Sequence, residues 1–108
     1  MNVGKLCQFK KDFLLLYPSK EVVSEAAYDS VLGGARADMC STAADATSDA
    51  SWWSSYYKCN VSYLEPKSVF CLIEQDGELY KILTDDGILG WIYIPQQRLM
   101  YVIEEVNQ

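Results

Sequence analysis

The residues best suited to do something chemical lie in one short run, Ser51-Trp52-Trp53-Ser54-Ser55-Tyr56-Tyr57, which concentrates four aromatic side chains in six positions. Trp and Tyr offer large, stiff contact area with a polar tip and are over-represented where proteins bind one another. The chemistry this run favours is recognition. The competing reading is that these rings plug an open end of a small core.

Catalysis has less to build on. The chain contains no histidine, so a general base would have to come from Asp, Glu, Cys or Lys. Asp76, Asp85 and Asp86 precede glycines in turns, where turn geometry accounts for them. Glu104 and Glu105 alternate faces if the last segment is a strand and cannot act as a pair. Cys7, Cys40, Cys59 and Cys71 form no CxxC unit, and their irregular spacing does not suit zinc. They read as free thiols, with Cys71 a small apolar residue inside a strand. No phosphate-binding glycine loop is present. The expectation is a non-enzyme with no cofactor and no metal.

Charge narrows the partners. Net charge is −6 over 108 residues, which works against phosphate-backbone binding, because that binding needs Lys and Arg to displace counterions. Nucleic acid is not expected. The charge is uneven: Lys5, Lys10, Lys11 and Lys20 make the start basic, whereas Asp29, Asp38, Asp45 and Asp49 help make the middle acidic and would bias a protein or peptide partner towards basic character. Phe13 to Tyr17, the longest apolar run near the start, is far shorter than a signal core or a membrane span. A cytoplasmic, membrane-free protein is expected.

The elements that must hold these residues are mostly strands. Half the residues are apolar and 13% aromatic, enough for one core in one domain spanning 1–108. Val3 to Phe9 reads as a strand, and Phe13 to Tyr17 as a strand covered on both faces or leading into a loop. Ser19 is a helix N-cap for a short helix from Glu21 to Leu32, stopped by Gly33-Gly34. Residues 33–51, rich in Gly, Ala, Ser, Thr and Asp, read as a mobile loop or a loosely helical linker. The aromatic run is either a strand covered on both faces or a helix whose Trp52/Tyr56 and Trp53/Tyr57 pairs sit at i,i+4. Val61 to Leu64 resumes strand character, and Glu65-Pro66-Lys67 reads as a type I turn. Residues 68–74, 78–83, 88–94 and 100–106 read as four strands, with Asp76-Gly77 and Asp86-Gly87 at hairpin turns that need positive φ.

The order of features in the second half resembles the Src-homology-3-like (SH3-like) small barrel, most closely its bacterial form. Leu64 to Phe70 looks like the diverging turn, Glu74 to Gly77 like the loop that follows, and Leu79-Tyr80-Lys81-Ile82 like the Trp-Tyr-Lys-Val stretch. Gly90-Trp91-Ile92 looks like the Gly-Trp-Ile/Val strand, and Pro95 to Leu99 like the 3₁₀ turn before the last strand. The overall look is also similar to small phage and marine bacterial proteins. The resemblance implies an all-β fold with minor helix: an SH3-like small barrel of five to six antiparallel strands. Residues 19–57 would be inserted in its first loop as a short helix plus a flexible acidic excursion. The Pro-rich ligand groove of the eukaryotic members is degraded here, since Leu79 stands where they carry an aromatic and no Ser-Asn-Tyr follows Pro95.

The functional expectation is therefore a non-catalytic protein-interaction module. Its binding residues are expected to be Trp52, Trp53, Tyr56, Tyr57 and Tyr28 from the insertion, with Tyr80 and Tyr101 beside a barrel groove. Two other readings stay open: a cell-wall or glycan-binding SH3-type module, and a small structural subunit of a viral or other assembly that oligomerises through the insertion or the last strand.

Overall fold

The computed structural model describes residues 3–30 and 35–106. Its strands are β1 (Leu6–Phe9), β2 (Phe13–Leu16), β3 (Met39–Cys40), β4 (Ser62–Leu64), β5 (Val69–Asp76), β6 (Leu79–Thr84), β7 (Leu89–Tyr93) and β8 (Ile103–Glu105). Its α-helices are α1 (Lys20–Asp29), α2 (Ala43–Tyr57) and α3 (Leu99–Val102), and a 3₁₀ turn covers Gln96–Arg98. Two antiparallel sheets result, one in the order β7-β6-β5-β1-β8 and one in the order β3-β2-β4. Among the described residues the larger sheet stays open, with β7 and β8 at its edges and no ladder between them.

Among the described residues one isolated bridge links the two sheets. Tyr17, just past β2, and Trp91 in β7 exchange both backbone hydrogen bonds at 2.8 Å. Gly90 makes this approach close: a Cβ there would lie 2.6 Å from Leu16 Cδ1 and 3.1 Å from the Tyr17 carbonyl oxygen.

The continuous apolar run of β2 follows from its place between two cores. Side chains alternate across a strand, so Leu14 and Leu16 enter one core while Leu15 and Tyr17 enter the other. The first core is the inner face of the larger sheet, with Phe9, Phe70, Leu72, Tyr80, Ile82 and Ile92, closed by Leu14, Leu16, Met39 and Leu64 of the smaller one. Phe9 and Phe70 stack there with ring centroids 4.6 Å apart. The second core lies on the far side of β2, where Leu15, Tyr17 and Trp91 meet Val23 and Ala26 of α1 and Ala50 and Trp53 of α2.

The turns obey their residues. Gly77 (φ 62°) makes the two-residue β5–β6 connection, and Gly87 (φ 86°) is the third residue of the four-residue β6–β7 connection. Ser19 caps α1 by accepting from the Val22 amide at 3.3 Å. At Pro66-Lys67 the reading is corrected: Lys67 has φ 71°, and the Ser68 amide donates to the Glu65 carbonyl. Pro at the second position and positive φ at the third mark a type II turn.

Larger corrections concern helix. Helix accounts for 33% of the structure against 36% strand, so it is not minor. Residues 39–51, expected to be a mobile loop or a loosely helical linker, join the aromatic run in a short strand and a fifteen-residue helix. Thr42 caps that helix by accepting from the Asp45 amide at 3.1 Å. Its buried residues are Ala46, Ala50 and Trp53, two small side chains and one large ring. The last expected strand, 100–106, begins instead as α3, and only Ile103–Glu105 pair with β1. Expectations that fall on residues 31–34, the Gly33-Gly34 stop among them, lie outside the described residues. Among the described residues no helix is long and apolar enough to cross a membrane.

Candidate interaction surface

The aromatic run occupies the last two turns of α2, and the helix sorts its four rings by angle. Positions 52 and 56, and positions 53 and 57, fall one above the other at i,i+4. Trp53 points into the second core with no exposed surface. Its indole N–H donates to the Arg36 carbonyl at 2.8 Å, which satisfies the ring's polar atom inside the protein. Tyr57 is half-buried and stacks on Trp53, centroids 5.5 Å apart and planes 7° from parallel.

Trp52 and Tyr56 face outward, 43% and 57% exposed. They stack on each other at 5.0 Å and 12°. The buried Trp53 and the half-buried Tyr57 brace them from behind: Trp53 meets Trp52 edge-on at 4.7 Å, and Tyr57 meets Tyr56 edge-on at 4.9 Å. Aromatic pairs of these geometries are attractive beyond their buried area. The exposed pair is therefore held in a fixed pose by the core itself.

Charge gathers beside the rings. Tyr57 donates a 2.6 Å hydrogen bond to Asp29 Oδ2 on α1. Burial, this bond, and the charges of Asp29 and Glu25 all push the Tyr57 phenol well above its ordinary range. The Asp29 carboxylate thus lies against the end of α2. Of the other acidic residues expected to steer a partner, Asp49 is used internally, accepting from the Arg36 amide at 3.2 Å and the Cys40 thiol at 3.4 Å. Asp38 lies mostly covered, 4.0 Å from Arg36. Asp45 is exposed at the start of α2.

The remaining expected site residues are dispersed. Tyr28 is 71% exposed on α1, next to Asp29. Tyr80 is buried in the first core among Ile82, Ile92 and Ile94, so it has no face to offer a partner, and the same holds for Trp53. Tyr101 is 68% exposed on α3. The barrel groove expected beside Tyr80 and Tyr101 therefore has no contribution from Tyr80.

A cleft that the sequence did not point to lies between the start of α1 and the β6–β7 face. It is lined by Pro18, Ser19, Lys20, Lys81, Gly90 and Trp91, among others, with a volume of about 370 Å³. Lys20 sits over the Trp91 ring, 5.7 Å from its centroid, and pairs with Asp76. That ion pair holds the Lys20 ammonium above its ordinary range. The cleft's aromatic floor is occupied by the chain's own cation.

The four cysteines are free thiols, Cys7 and Cys40 buried. Burial raises Cys7, Cys40 and Cys59, and in Cys40 the contact with Asp49 adds to burial and pushes it up to about 12. These are the opposite of the surroundings that activate a thiolate. Among the described residues no three His, Cys, Asp or Glu side chains come together as metal ligands do. No protein-family model, no curated protein and no solved structure matches this chain.

Proposed function

We propose that this protein is a non-catalytic protein-interaction module whose binding face is the exposed side of α2, centred on Trp52 and Tyr56. The observation that carries the reading is the division of labour within one helix: Trp53 and Tyr57 anchor α2 to the core, and the same packing fixes a stacked Trp–Tyr pair towards solvent. Rigid, amphipathic rings contribute contact area at little entropic cost, which is the usual character of a binding hot spot. The frame beneath it we read as SH3-like. The order β7-β6-β5-β1-β8 and the 3₁₀ turn between β7 and β8 support this, with residues 19–57 inserted in the first loop. Catalytic chemistry receives no support from the raised thiols.

The test is affinity capture from a lysate of the source cells with the wild-type chain and with Trp52→Ala/Tyr56→Ala. A discrete protein retained by the first and lost by the second supports the reading. Equal retention by both, with the variant folded, moves the site elsewhere.

One alternative is favoured by the same observation, because flat exposed rings also stack on sugars. A glycan-binding module predicts retention on insoluble peptidoglycan that disappears with the same double substitution.

A further inference from the structure

We infer that the Trp52–Tyr56 pair is a docking site for an arginine side chain carried by a basic peptide segment of the partner. This rests on the reading of the α2 face as an interaction surface and names the chemistry of what it takes. Four independent sources of negative potential converge there. The stacked rings present π faces, which attract cations. Tyr56 and Tyr57 stand in the last turn of α2, where unpaired carbonyls make the helix end electronegative. Asp29 is the last residue of α1, and its bond to Tyr57 brings the second helix end to the same place. Glu25, one turn earlier on α1, is exposed and close enough to act on the Tyr57 phenol.

The basic groups that would cancel this potential are sparse. Neither α1 nor α2 has a basic residue in its last turn. Lys58 follows Tyr57 directly, where the chain leaves the helix through a left-handed cap at φ 53°. Lys20 is committed to Asp76 and Trp91 at the other end of α1. Arginine fits better than lysine, because its planar guanidinium stacks on an aromatic face while its edge donates to carboxylates. The arrangement offers both: Trp52 and Tyr56 as the stacking surface, and, on the far side of the neighbouring Tyr57 ring, the Asp29 carboxylate that its hydroxyl contacts.

The test uses the full chain, ¹⁵N-labelled, titrated with a capped Gly-Arg-Gly-Arg-Gly peptide and with the same peptide carrying citrulline, the neutral isostere, in place of arginine. The expected result is a saturable shift of the Trp52 indole N–H, with citrulline at least several-fold weaker. Trp52→Leu should weaken binding roughly 2- to 30-fold, and Glu25→Gln should weaken it and flatten its salt dependence. Equal response to both peptides overturns the inference, as does a response centred on Trp91 or no saturable shift at millimolar peptide. An inert peptide beside a captured partner that still requires Trp52 and Tyr56 removes the arginine assignment alone. Loss of that requirement removes the interaction-module reading with it.

Discussion

Tyr57 donates a 2.6 Å hydrogen bond to Asp29, and this contact ties the last turn of α2 to the last turn of α1. Hydrogen bonds to charged groups contribute more than neutral ones, and this one is only partly shielded, so Tyr57→Phe should destabilise the fold by about 1 to 2 kcal/mol. The Trp53 stack survives that change. Asp29→Asn keeps an acceptor and should cost less. Urea unfolding of the two variants checks the order.

Neighbouring tryptophans should respond in opposite ways. Trp53→Ala empties the centre of the second core and strands the Arg36 carbonyl, with an expected loss of about 3 to 5 kcal/mol. Trp52→Ala removes an exposed ring and one stacking partner, with an expected loss of about 1 kcal/mol. Equilibrium denaturation of both variants decides it, and similar losses would contradict the division of the helix into a core side and a binding side.

Local pattern in α2 encodes its ring pairing but not its orientation. Trp52/Tyr56 and Trp53/Tyr57 at i,i+4 were visible as one of two options, but which pair faced inward was not. The positions that bury α2 are otherwise alanines, so the apolar stripe that announces an amphipathic helix is missing. A local signal was available in Thr42 followed by Asp45, which resembles an N-terminal capping pattern. The hairpin turns were legible because Gly77 and Gly87 are needed for backbone reasons that do not depend on the rest of the fold. The setting of Tyr101 was not legible, because helix α3 replaces the first three residues of an expected strand, with Leu99 and Val102 packed on the first core. The Tyr57–Asp29 contact depends on two helices meeting, which no local pattern encodes.

Gly90→Ala should be costly although alanine suits a strand better. The added Cβ would meet Leu16 Cγ at 2.9 Å and Cδ1 at 2.6 Å, and Leu16 is locked in the first core. Overpacking of this kind costs about 1 to 3 kcal/mol. A thermal melt lowered by several degrees is expected. An unchanged melt would mean that β2 and β7 separate more easily than their paired hydrogen bonds indicate.

Alkaline pH should unfold the protein early. Cys40 is raised from 9.0 to about 12, and Tyr17 and Tyr57 are raised from 10.0, burial being the largest cause in each. Each group keeps its proton in the folded state after the unfolded chain has lost it, so the unfolded state binds fewer protons above pH 9. The stabilisation these groups provide is complete below about pH 9 and declines as pH rises from 9 towards 12. Chemical denaturation at pH 7, 9 and 10.5 should give nearly equal stability at the first two and a clear fall at the third.

On the proposed reading, α2 presents Trp52 and Tyr56 to a partner while Trp53 holds the helix in place. A photo-crosslinking amino acid placed at position 56, and as a control at exposed position 85 on the β6–β7 turn, tests it in the source cells. A discrete protein adduct from position 56 and none from position 85 is the predicted result. No adduct from position 56, with a discrete one from position 85, would contradict the account.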